Sequence, residues 1–242
     1  MTTSHVKAGT GNRIVDWYNR LEPYTIYIPF SPLNVLWHNI NKKNHTVLDV
    51  CCGRGEPMSS INLRSKFYKV GVDIYEPDIN KCKAQKLHDE YVKCDVRNMP
   101  FKDKSFDIVM CLSAIEHFEK EEAKNLLRSL ERIARKQVII MAPVGEWRHR
   151  NIDNDPNQFQ RHKSVWSPKE FRELGYKVRG SELQKVFDEK GIYTHVPKIF
   201  KPLHVLTWLI IGPFVYFLPG LSGQQICSKT LKAGSKPDAI KV

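Results

Sequence analysis

Three aspartates stand where apolar runs give out: Asp49 in Thr46-Val47-Leu48-Asp49-Val50, Asp73 after Tyr68-Lys69-Val70-Gly71-Val72, and Asp95 after Tyr91-Val92-Lys93-Cys94. Behind the first come Cys51-Cys52-Gly53-Arg54-Gly55. Glycine adopts positive φ and admits a ligand where a Cβ would collide. A helix starting just beyond such a turn offers unpaired N–H groups to the same ligand. Strand, acid and glycine turn together make a cradle for a nucleotide-like cofactor. Further along, His117 and His162 are side chains able to carry a proton near neutral pH, although a structural role is the readier explanation of either. His162 precedes Val165-Trp166, an aromatic loop suited to a pocket. Glu116, Glu146 and Trp147 are further pocket candidates.

The elements that must position these groups alternate. Val47–Val50, Tyr68–Asp73, Tyr91–Asp95, Phe106–Leu112 and Gln137–Ala142 are apolar enough to be strands covered on both faces. Pro57–Leu63 and Asp78–His88 read as helices between them, with Ile79, Cys82 and Leu87 inward. From Lys120 to Arg135, Ala123, Leu126, Leu127, Leu130, Ile133 and Ala134 make one apolar stripe on a charged helix. Ser167-Pro168-Lys169-Glu170 has the form of a capping box. Alternation of this kind predicts an α/β fold with a doubly wound, mostly parallel seven-stranded sheet. Residues 1–44 read as a tail and a proline-broken, aromatic helical cap. The core is expected over 45–181 and 223–232, with a hydrophobic insertion at 182–222 before the last strand and a tail at 233–242.

The chain has 242 residues, 38 Lys+Arg against 26 Asp+Glu and a net charge of +12, which suits an anionic partner such as nucleic acid or an acidic membrane. A plainly solvated basic surface explains the same number. Six cysteines without CxxC spacing point to a reducing compartment, with neither a disulfide framework nor a metal site expected. The amino end carries no signal-peptide pattern, so a cytoplasmic chain is expected. Leu203–Pro219 is the most hydrophobic stretch, but Gly212-Pro213 divides it and a spanning helix needs about 20 apolar residues. It reads as a lid over the substrate site or as a hairpin in a membrane interface. Lys190, Lys198, Lys201 and Lys229 flank it and favour anionic lipid.

A strand-end acid one unit beyond the glycine turn can accept hydrogen bonds from both ribose hydroxyls. The turn lacks G-x-G-x-x-G, however, and a carboxylate ahead of the glycines disfavours a pyrophosphate while tolerating a cation. These blocks resemble class I S-adenosylmethionine-dependent methyltransferases, most closely their type 11 small-molecule group. The resemblance rests on Val47–Gly55, Val70–Ile74, Cys94–Phe101, Lys104–Val109 and the Glu116-His117 pair, and covers about 45–145. It implies the Rossmann-like methyltransferase fold and S-adenosylmethionine as cofactor. Asp49, Gly53 and Gly55 would then hold the amino-acid end, Asp73 the ribose, and Asp95 the adenine amine with Val96 beside the ring. Ile74 and Cys111 complete the implied cofactor set. Cys51 departs from the pattern, which has glycine there.

Methyl transfer from a sulfonium is an in-line displacement whose demands are alignment and exclusion of water. A base is needed only for a hydroxyl or a protonated amine, and His117 and His162 are the catalytic candidates. The expected acceptor is a small or lipid-linked molecule, with an anionic membrane surface engaged through 203–219. RNA methylation and a silent cofactor-binding, membrane-associated protein are the alternatives.

Overall fold

The computed structural model describes residues 22–145, 157–184 and 205–231. Seven strands form one sheet: β1 Thr46–Val50, β2 Tyr68–Asp73, β3 Glu90–Lys93, β4 Phe106–Leu112, β5 Ala134–Pro143, β6 Lys177–Leu183 and β7 Ser222–Thr230. Their order is β3-β2-β1-β4-β5-β7-β6, parallel except that β7 runs against both neighbours. The chain walks outward from β1 to β3, then returns to start β4 beside β1. The crevice at a topological switch point of this kind is where open α/β sheets bind ligands. The expected doubly wound, mostly parallel seven-stranded architecture is the one observed.

Residues on the two faces of β1 separate the core into two layers. Leu48 and Val50 join the Ala123, Leu126, Leu127 and Leu130 stripe of the helix Lys120–Ile133, together with Trp166 and Phe171. Val47 faces the other way, toward Met58 and Ile61 of the helix Glu56–Asn62 and Val35 and Leu36 of the helix Pro32–Asn39. In chain order the helices are α1 Pro32–Asn39, α2 Glu56–Asn62, α3 Glu76–Ala84, α4 Lys120–Ile133, α5 Pro168–Glu173, α6 Val205–Ile210 and α7 Gly212–Phe217. The capping box of α5 is formed as its sequence predicts, with Ser167 Oγ accepting from Glu170 N and Glu170 Oε2 from Ser167 N.

Three local readings need correction. The helix expected to reach His88 ends at Ala84, because Lys86 turns into the left-handed region at φ 54° and frees His88 to fold inward. β3 stops at Lys93, so Asp95 lies beyond the strand and caps a 3-10 turn at Val96–Asn98. Lys229 is not a membrane-facing cation. Its ammonium is nearly buried and donates to both oxygens of Glu131 at 3.1 Å, while Tyr176 Oη donates to the same carboxylate at 2.9 Å.

The hydrophobic stretch is broken at Gly212 as expected, giving the paired helices α6 and α7. A Cβ on Gly212 would stand 2.5 Å from Phe30 Cβ, so glycine lets α7 close onto the N-terminal cap. Val215 and Trp208 face inward, and the Arg179 guanidinium of β6 stacks 5.0 Å from the Tyr216 ring. The pair therefore borders β6, the far edge of the sheet, instead of roofing the glycine turn after β1. Lys190, Lys198 and Lys201 lie outside the described residues, as do the tails at 1–12 and 233–242.

Candidate cofactor and acceptor site

The turn after β1 winds through three left-handed residues, Cys51 (φ 58°), Gly53 (φ 48°) and Gly55 (φ 75°). Cys51 thus accepts the conformation usually left to glycine, at a cost of roughly 1–2 kcal/mol. Its half-buried thiol pairs with Cys111, and that hydrogen bond together with burial holds the thiol well above the ordinary cysteine range. Gly53 and Gly55 serve different ends. A Cβ on Gly55 would lie 2.6 Å from Cys82 Sγ and 2.6 Å from Leu87 Cδ1, so this glycine is a packing requirement. A Cβ on Gly53 would meet nothing within 4 Å, and its N–H is fixed at 2.8 Å from Asp73 Oδ2.

Open space over a pinned backbone N–H is the form a ligand cradle takes, and it separates two expected results. Gly55→Ala should cost about 2–4 kcal/mol in urea denaturation, from overpacking and positive φ together. Gly53→Ala should cost about 1 kcal/mol of stability while weakening S-adenosylmethionine binding in equilibrium dialysis.

Asp73 closes the cradle from β2. Its Oδ2 accepts from Gly53 N and its Oδ1 from Tyr75 N, each at 2.8 Å. Burial raises its pKa, against these backbone donors, which lower it. Ile74 follows it, half-buried. Asp95 accepts from Arg97 N at 3.0 Å and pairs with the Arg97 guanidinium, Nη2 to Oδ2 at 2.6 Å. The Arg97 hydrogen bond outweighs partial burial and lowers the Asp95 pKa. Its side chain is still 32% exposed and can accept further bonds. Val96 is buried beside it.

Two residues of the implied cofactor set sit differently. Asp49 is buried, and its Oδ2 lies 2.8 Å from Nε2 of the fully buried His88 side chain. It anchors the floor of the cradle through His88 instead of presenting its carboxylate to a ligand. Cys111 is wholly buried within β4 and reaches the crevice only through Cys51. His88 was not among the sequence candidates. The available signal was Gly71 in mid-strand, a common mark of close approach. A Cβ at Gly71 would stand 3.1 Å from both the His88 ring and Cys52 Sγ.

Beyond β4, the 3-10 turn Ile115–His117 brings the two candidate histidines together. The rings of His117 and His162 lie 5.0 Å apart, and Glu116 is buried beside them. Lys163 N and Ser164 N donate to Glu116 O at 2.8 and 3.1 Å, fastening the 161–164 loop to this turn. Burial pushes the Glu116 carboxyl up to about 8. Glu146 and Trp147 lie outside the described residues.

A mostly parallel sheet with its glycine turn at the β1/β4 switch point, an acid ending β2 and another just past β3 has the form of a nucleoside-cofactor α/β protein. Residues 47–137 match the family model described as "Methyltransferase domain". An uncharacterized protein of Methanocaldococcus jannaschii is 28% identical over 178 residues, 68% of this chain and 75% of that one. Mouse probable tRNA methyltransferase 9B is 28% identical over 105 residues, 43% of this chain and only 21% of its own length. A SAM-dependent methyltransferase structure from Archaeoglobus fulgidus shares the fold, with a TM-score of 0.52 at 21% identity over 88% of this chain and 91% of that one. Residues 47–137 are thus similar to the methyltransferase domain, and the sheet around them has the fold of S-adenosylmethionine-dependent methyltransferases. When bound, the cofactor supplies an electrophilic methyl on a sulfonium; the fold supplies alignment of the nucleophile and a dry crevice.

Proposed function

We propose that this methyltransferase acts on a small or lipid-linked acceptor taken at a membrane surface, with Asp73 receiving the cofactor ribose, Asp95 and Val96 the adenine, and the Gly53 turn the amino-acid end. The observation that carries the membrane reading is the outer surface of α6 and α7 with the turn that follows. Ile210, Phe214 and Phe217 are 67%, 66% and 65% exposed, and Leu206, Leu209, Leu218 and Leu221 extend the same apolar surface. Isolated exposed apolar residues are ordinary, but a contiguous patch on short helices suits an interface in which acyl chains replace water. The net charge of +12 favours anionic lipid. No helix among the described residues is long and apolar enough to cross a membrane, so the contact would lie in the interface plane.

His117 and His162 are proposed to receive a proton from a hydroxyl or ammonium acceptor at the edge they share. Flotation with vesicles containing phosphatidylserine tests the surface. The full chain is expected to float and the Phe214→Ser/Phe217→Ser variant to remain at the bottom with its fold intact. Equal behaviour of the two would remove the membrane reading. Labelled-methyl transfer into fractionated membrane extract then identifies the acceptor class.

RNA methylation is the second reading, favoured by the similarity to a tRNA methyltransferase and by the basic charge. It predicts salt-dependent RNA affinity and label in the RNA fraction instead.

A further inference from the structure

The cluster beyond β4 has the make-up of a metal site. Glu116, His117 and His162 each offer one ligand atom, and these atoms all lie within 4.8 Å of one another. The backbone holds the arrangement. The loop carrying His162 is tied to Glu116 O by two N–H groups, and His117 Nδ1 lies 3.3 Å from Arg161 O. A second observation points to a ligand. Glu116 is 3% exposed, and its Oε2 has no hydrogen-bond partner among the described residues. A buried polar atom left unpaired costs about 1–3 kcal/mol, and such atoms call for an explanation such as an ion.

We propose that Glu116, His117 and His162 bind one divalent ion of the Zn2+ type at the carboxyl edge of the sheet. The donor set decides the class. Two imidazoles and one carboxylate suit borderline transition ions, whereas Mg2+ and Ca2+ prefer oxygen-only shells. Bonds of about 2.0–2.2 Å in a tetrahedral site place ligand atoms roughly 3.4 Å apart, so closure on the ion asks for about 1 Å of side-chain movement. Three protein ligands leave an open position, as in catalytic rather than structural zinc sites. That position would take a water or an acceptor oxygen, and with the ion bound His117 and His162 are ligands, so the proton-accepting role proposed for them belongs to the metal-free chain. Cysteine takes no part in it, which separates this cluster from the thiols around the cradle.

The full chain, freed of metal by dialysis against chelator, is titrated with CoCl2 and followed by visible absorption, with ZnCl2 and MgCl2 titrated calorimetrically alongside. The expected result is one Co2+ per chain, with tetrahedral d–d absorption and no thiolate charge-transfer band. Zn2+ should compete and Mg2+ should not. Glu116→Gln keeps the shape of the side chain and His162→Asn changes a half-buried loop residue; each should weaken uptake at least about tenfold. Melting curves establish that the variants are folded, and if Glu116→Gln is not, His162→Asn decides alone. No uptake, a thiolate band, or uptake unchanged in a folded variant would overturn the site. Because the readout is ion uptake, its failure leaves the methyl-transfer reading untouched.

Discussion

Replacing His88 with alanine is expected to cost about 3–5 kcal/mol, because it leaves Asp49 as a buried charge without its partner. The pair is sealed. The His88 and Asp49 side chains are 0% and 7% exposed, and Nε2 and Oδ2 are 2.8 Å apart. The other imidazole nitrogen lies 3.3 Å from Cys82 Sγ, and His88 N donates to Tyr91 Oη at 3.0 Å. Burial alone would lower the imidazole pKa, but the hydrogen bonds to Asp49 and Cys82 outweigh it and raise it to about 9. The Cys82 thiol moves the other way, to about 6, through hydrogen bonds from Cys52 and His88 against a burial effect that raises it.

The signs fix the pH behaviour. His88, raised in the folded state, contributes stability fully present below about pH 6.5 and lost as pH climbs through about 9. Cys82, depressed in the folded state, contributes stability present above its ordinary value of 9 and lost as pH falls through about 6. Between these limits the slopes oppose each other, and wild-type stability should be nearly flat on their account. Removing the thiol with Cys82→Ala abolishes the opposing slope and also the share of the His88 shift that Cys82 supplies, so stability should then fall as pH rises across that window with the slope that Asp49 alone sustains. Urea denaturation at several pH values reads both effects. A loss under 1 kcal/mol in His88→Ala would contradict the ion-paired floor.

The second large effect is expected at Asp73. Asp73→Ala removes a carboxylate that accepts from Gly53 N and Tyr75 N and is proposed to receive the cofactor ribose. Hydrogen bonds to a charged acceptor contribute about 1.5–3 kcal/mol each, so losing the two proposed from the ribose hydroxyls should weaken S-adenosylmethionine binding by at least about a hundredfold. The fold should survive, since β2 keeps its ladder to β1 through Val70 and Val72. Asp73→Asn should fall between, because its amide retains one acceptor but faces the Gly53 N–H or the ribose with a donor. Equilibrium dialysis of the two variants gives the ratio. Parallel losses in alanine and asparagine would indicate that charge, more than acceptor geometry, sets the affinity.

Much of this was legible in the sequence because it depends on local pattern. An apolar run ending in an acid is visible in Val70–Asp73, and the stripe of α4 and the Ser167 capping box are short-range as well. What escaped reading depends on long-range closure. His88 meets Asp49 only because α3 unwinds at Gln85-Lys86 and Gly71 leaves room for a ring. Glu116 and His162 meet only because two backbone hydrogen bonds fold a distant loop onto the Ile115–His117 turn. Lys229 looked like one more surface cation, since nothing adjacent shows that its strand lies over Glu131. The Gly212-Pro213 break in the hydrophobic stretch is visible in the sequence, but nothing local shows that the two pieces border β6.

The central claim is that the turn after β1, closed by Asp73, is an S-adenosylmethionine site. Calorimetric titration of the full chain with S-adenosylmethionine tests it most directly, with NAD run in parallel. One mole of S-adenosylmethionine bound per mole of chain, with no heat from NAD and binding lost in Asp73→Ala, is the predicted result. Absence of S-adenosylmethionine binding by folded wild-type chain, or binding indifferent to Asp73→Ala, would contradict it.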